Sequence, residues 1–106
     1  MSGQEPSAAR KMLGDFAPKL VDLTDDVLFG DVWKRPELAP RDRSLVTITA
    51  LVVGGNVEQL PFHLALGRDN GLTEAEIVEA ITHLAFYTGW PKAMSAIGAA
   101  KQTFAA

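Results

Sequence analysis

Residues 40–53 read PRDRSLVTITALVV, the most hydrophobic piece of the chain, and whether they form a strand or a helix decides the fold class. The β-branched residues Val46, Thr47, Ile48, Thr49, Val52 and Val53 permit a strand. Periodicity alone does not separate a buried strand from a buried helix. Two other considerations favour a helix. The charged opening Arg41-Asp42-Arg43 and the apolar run together exceed an ordinary strand, and Pro40 suits a first helical position, where its missing N–H costs nothing. No second stretch reads as a strand, so a strand here would leave its backbone groups unpaired.

Outward from this segment the chain is cut into pieces of helical length by Gly30, Pro36, Pro40, Gly54-Gly55, Pro61, Gly71 and Gly89-Trp90-Pro91. Residues 72–88 form the clearest helix. Thr73 and Glu76 stand at capping-box spacing, each able to satisfy an orphan backbone donor. Ile77, Ala80, Ile81, Leu84, Ala85 and Thr88 then recur on one helical face. Glu79, His83 and Tyr87 line a neighbouring face at i, i+4 spacing. Gly89 can stop the helix in a left-handed cap, and Pro91 opens a last helix towards Phe104, with Met94, Ile97 and Phe104 inward. Between Gly54 and Gly71, Pro61 interrupts any continuous helix, so a break or restart falls near Leu60. In an unbroken helix Glu58 and His63 would diverge by roughly 140°; the break can bring Glu58 back beside the following helix, which Gly71 ends. Upstream, Ser7 to Phe16 reads as one short helix. A second follows Pro18, with Leu20, Leu23, Val27 and Leu28 at helical spacing; both look peripheral, and Asp31 to Pro36 reads as a turn because Pro36 disfavours helix at Arg35.

Composition limits the function classes. The 106 residues fit one domain, residues 1–106, and at this length folding hides only ~65% of the surface the unfolded chain exposes, so surplus apolar surface points to a partner subunit. Apolar residues are 47% and charged residues 22%, as in an ordinary globular protein. The net charge of −3 offers no basic face for nucleic acid. The longest uncharged stretch, 44–57, is too short to span a membrane. The polar N-terminus lacks the apolar core of a secretory signal, which points to the cytoplasm. There is no cysteine, so a redox thiol, a thiolate metal site and a disulfide framework are excluded. Two histidines without a helical His-x-x-x-His or Glu-x-x-His pair give no metal site.

The segment 41–97, with LPFHLALGRDNGLT at 60–73 and THLAFYTGWPKAMSA at 82–96, resembles the carboxymuconolactone decarboxylase family, and FGDVWKRPEL at 29–38 fits the family's lead-in. The resemblance covers roughly residues 29–104. It implies an all-α, AhpD-like fold of about six helices and, with it, a helix at 40–53. It also implies a homo-oligomer, a hexamer first and a trimer next. Peroxidase members of the superfamily carry a Cys-x-x-Cys pair four residues ahead of a His, with an upstream Glu. Matching that His to His63 places Asn56 and Gln59 at the cysteine positions and Ser44 near the glutamate. Neither amide can act as a thiolate, so thiol peroxidase activity is disfavoured.

The decarboxylase members imply a carboxy-lyase: cofactor-independent decarboxylation of a small carboxylated lactone or oxoacid, as in aromatic compound catabolism. Such chemistry requires carboxylate anchors, stabilisation of a developing oxyanion and a placed proton. His63 matches the family's motif His and is the first candidate for acid/base, since imidazole titrates near neutrality. The remaining candidates rest on their chemistry. Glu58 would orient His63, and His83 would hold a carboxylate or exchange protons. Arg43 or Arg68 would grip a carboxylate bidentately, and Tyr87 and Trp90 would wall the pocket. The alternative is a non-catalytic, oligomeric ligand-binding module on the same fold.

Overall fold

The computed structural model describes residues 6–105, and every described element is helical. The chain divides into two compact units, one ending at Glu37 and the other beginning at Leu38. Among the described residues no helix is long and apolar enough to cross a membrane.

In the first unit, α1 (Ala8–Leu13) is capped by Ser7, whose Oγ accepts from the Arg10 N–H at 3.1 Å and donates to Asp25 at 2.8 Å. The helix is shorter than the stretch to Phe16, because Gly14 turns the chain at a positive φ of 53°. Pro18 opens α2 (Pro18–Asp22), which runs directly into a π-helical stretch, Leu23–Phe29. The wider π turn breaks the 3.6-residue register on which Leu20, Leu23, Val27 and Leu28 were aligned, and all four side chains are exposed. A short 3₁₀ turn, Val32–Lys34, follows, and Arg35 is extended, as Pro36 requires.

The second unit is a bundle of four helices. The segment at 40–53 is indeed helical: α3 spans Pro40–Gly54 with Pro40 in its first turn. The Thr47 and Thr49 hydroxyls are satisfied within the helix, donating to the carbonyls of Arg43 and Leu45, both at 2.8 Å. Ser44, Ile48 and Val52, at i, i+4 and i+8, form its buried face. Gly55, left-handed at φ 71°, ends the helix, with the Asn56 N–H donating to the Leu51 carbonyl at 2.9 Å and the Gly55 N–H to Val52 at 3.1 Å. A turn then leads to α4 (Leu60–Asp69), which restarts where Pro61 requires it.

Helix α4 buries Leu60, Leu64 and Gly67. Gly67 permits close approach to α3, since a Cβ there would lie 3.1 Å from both Ile48 Cδ1 and Leu72 Cδ1. Helix α5 (Glu74–Thr88) carries the expected capping box, with Thr73 and Glu76 each accepting from the other's backbone. Ile77, Ile81 and Ala85 are buried, with Ala80, Leu84 and Thr88 half-buried beside them. Gly89 does not adopt the expected left-handed cap. Its φ of 100° is positive, but ψ is 152°, which sends the chain straight into α6 (Trp90–Ala105).

The inner face of α6 is Ala93, Ala96 and Ala100, with Ile97 and Phe104 packed at its edge. Met94 was expected inward and is instead 62% exposed. It lies about 100° around the helix from Ala93, and the small alanines let α6 approach its neighbours closely. Helix α3 packs against α4 and α5, and α6 packs against the same two; α4 and α5 share no substantial contact.

Candidate functional site

His63 projects from α4 at half-burial, its ring edge-on to Phe62 with centroids 5.1 Å apart. Nδ1 is enclosed. Burial pushes the imidazole below its ordinary value of 6.5, because the charged form loses hydration there. The unfolded chain therefore takes up this proton first as pH falls. The stabilisation is complete above the ordinary value and is lost as pH drops from there through the folded value. Between about pH 7.5 and about pH 5, wild type is expected to lose more thermal stability than His63→Gln. Equal losses in parallel melts would mean that the imidazole is not shielded in solution.

The other expected residues fall at separate places. Arg43, in the opening turns of α3, is half-buried with its Nε enclosed. Glu58 is exposed in the turn before α4 and forms no hydrogen bond or ion pair among the described residues. Arg68 contacts Glu74 at 3.4 Å and lies over the Phe104 ring at 5.0 Å. It therefore ties the end of α4 to the start of α5 and the end of α6. Tyr87 and Trp90 are exposed; Trp90 meets Phe86 edge-on at 5.2 Å, and Tyr87 lies 5.0 Å from His83, ring to ring.

His83 opens onto a cleft of about 510 Å³ between α3 and α5. Leu45, Leu72, Ala80 and Leu84 contribute apolar lining, while Arg41, Thr49, Glu76, Glu79 and His83 contribute polar groups. None of His63, Glu58, Arg43, Arg68, Tyr87 or Trp90 lines it. Arg41 pairs with Glu76 across the cleft and with Asp42 at 3.3 Å. The Glu76 carboxyl is held below its ordinary value first by the hydrogen bond from the Thr73 N–H and then by the Arg41 charge. Arg41 was not singled out from the sequence. The one available signal was the Arg-Asp-Arg opening of α3, which does not reveal which arginine faces α5.

Ser44, placed near a family glutamate position, is fully buried, and its Oγ accepts from Asn70 Nδ2 at 3.0 Å. It joins α3 to the C-terminal end of α4. Its position in the core leaves no room for direct contact with a solvent-borne substrate.

Residues 18–102 match the model of the carboxymuconolactone decarboxylase family. The 4-carboxymuconolactone decarboxylase of Acinetobacter baylyi is 36% identical over 92 residues, covering 87% of this chain and 69% of that protein. The nitrosuccinic acid decarboxylase of Metarhizium robertsii is 36% identical over 83 residues, covering 77% of this chain. The chain spans 57% of the length of that second relative. Both relatives are named as decarboxylating enzymes. The matched region takes in the whole four-helix bundle up to the last turn of α6, with both histidines inside it, and the chain belongs to the carboxymuconolactone decarboxylase family.

Proposed function

We propose that this protein is a decarboxylase acting on a small carboxylated compound, with His63 handling the proton and no cofactor taking part. The relatives are named for carboxymuconolactone and nitrosuccinic acid. Both are small carboxylic acids bearing a group that can hold an electron pair, a conjugated lactone carbonyl in one and a nitro group in the other. When the C–C bond to the departing carboxylate breaks, CO₂ leaves and the bonding pair moves into that group. The protein then has three tasks: anchor a carboxylate, stabilise the developing oxyanion and return a proton to carbon.

The match to decarboxylating relatives over a segment that includes the half-buried His63 carries this reading. A neutral imidazole donates one N–H to the forming oxyanion. An anionic substrate alongside favours the protonated form, so substrate binding recruits the proton that the product carbon needs. Arg43 and Arg68 are the expected carboxylate anchors, and Arg68 also contacts Glu74 and lies over Phe104. The absence of cysteine sets thiol peroxidase chemistry aside.

CO₂ release from carboxymuconolactone and from nitrosuccinic acid tests the proposal directly. Turnover of at least one by wild type is expected. Binding of either acid without CO₂ release would replace this reading with the ligand-binding module.

A further inference from the structure

His63 and His83 stand on helices that do not pack together. Helices α4 and α5 each pack against α3 and α6, and meet one another only where Arg68 reaches Glu74 at their ends. With neighbouring axes 8–10 Å apart, such a diagonal separation is about 12–14 Å before the side chains are added. His83 is exposed and opens onto the α3–α5 cleft, to which α4 contributes no lining residue. Within one chain, therefore, the two imidazoles do not share that cleft.

The surface beside His83 is unusually apolar. Phe86 is 74% exposed, Tyr87 77%, Trp90 56% and Met94 62%. At 150–250 Å² for each aromatic side chain, the three aromatic residues alone expose roughly 300–500 Å². That is about half of the ~800 Å² per partner in an interface of standard size. A second apolar patch, exposed Val57 and Phe62, flanks His63 at the start of α4. The patches differ, so a contact between them joins unlike faces of two copies, in a closed pair or around a ring.

We propose that the site is shared between two copies: the α5 face bearing His83 of one chain covers the α4 face bearing His63 of the next, so that both imidazoles meet one substrate. The chemistry assigned to that shared site rests on the decarboxylase reading; the pairing of the faces does not. His63 moves the proton, and His83 of the neighbouring copy holds a carboxylate. The aromatic wall excludes water from between them, which strengthens every charge interaction at the reacting centre.

Because the chain contains no cysteine, single thiols can report the pairing without background. His63→Cys and His83→Cys chains with different tags are co-expressed and treated with a short bis-maleimide. A covalent dimer carrying both tags is expected. Its absence overturns the proposal, as does an intrachain link formed by the double variant at monomer mass. Phe62→Cys, at an exposed position, replaces His63→Cys if that variant misfolds. Co-expressed His63→Ala and His83→Ala chains are further expected to recover about one quarter of wild-type CO₂ release, the statistical share of intact heterologous sites. Full activity of His83→Ala alone also overturns the proposal. If wild type releases no CO₂, the decarboxylase reading fails while the cross-link still decides the pairing.

Discussion

His63→Ala is expected to lower kcat/KM for CO₂ release by about 10²–10⁴-fold, the ordinary contribution of a positioned acid or base. The side chain is half-buried on the flank of α4 and contributes no residue to the core cluster, so the helix should survive its removal. Far-UV circular dichroism of the variant should match wild type. His63→Gln keeps a hydrogen-bond donor but does not titrate. It is expected to recover part of the oxyanion stabilisation and none of the proton transfer, leaving it between Ala and wild type. A His63→Ala protein as active as wild type would remove His63 from the reaction and shift attention to the α3–α5 cleft, where His83 and Arg41 already sit together.

The largest stability effect should come from Leu64→Ala. Leu64 is fully buried in the cluster that also contains Ile48, Val52, Leu60, Leu72, Ile77 and Ile81. Truncation removes the transfer free energy of the side chain and leaves a cavity that the surrounding helices fill only partly, together about 2–5 kcal/mol. Domains of this size hold about 5–15 kcal/mol in total, so this one change consumes a large fraction. The melting temperature should fall by more than about 8 °C, since each kcal/mol is worth about 4–8 °C in a small domain. A loss below about 1 kcal/mol in urea titration would mean that the bundle repacks around the gap, contrary to the close packing of α3 on α4 at Gly67.

The features that could be read in advance are those governed by bonds between residues a few positions apart. Pro40 and Pro61 as helix starts, Gly55 as a stop and the Thr73–Glu76 capping box each involve groups within about five residues, so the local sequence contains both partners. The i, i+4 recurrence of Ile77 and Ile81 belongs with them. The helix at 40–53 is an intermediate case, where β-branched residues left local preference undecided and length and family resemblance tipped the reading. Predictions went astray where a small change in local geometry rotates everything after it. The direction of the chain leaving Gly89 set which side of α6 faces inward, putting Ala93 inside and Met94 outside.

By itself, then, the sequence determined most helix starts and stops of the bundle and the lack of any thiol chemistry, while the family resemblance settled the helix at 40–53 and singled out His63. Packing alone decided the rest. Arg41 meets Glu76 across 35 positions, Asn70 meets Ser44 across 26, and Arg68 is spent on Glu74 and Phe104. Only the assembled bundle shows that the two histidines stand on helices that do not pack along one another. The reason is physical: a side chain's hydrogen-bonding capacity is written in its residue type, but its partner is chosen by which helix faces are brought together, and that choice is made by burial of the whole apolar surface at once.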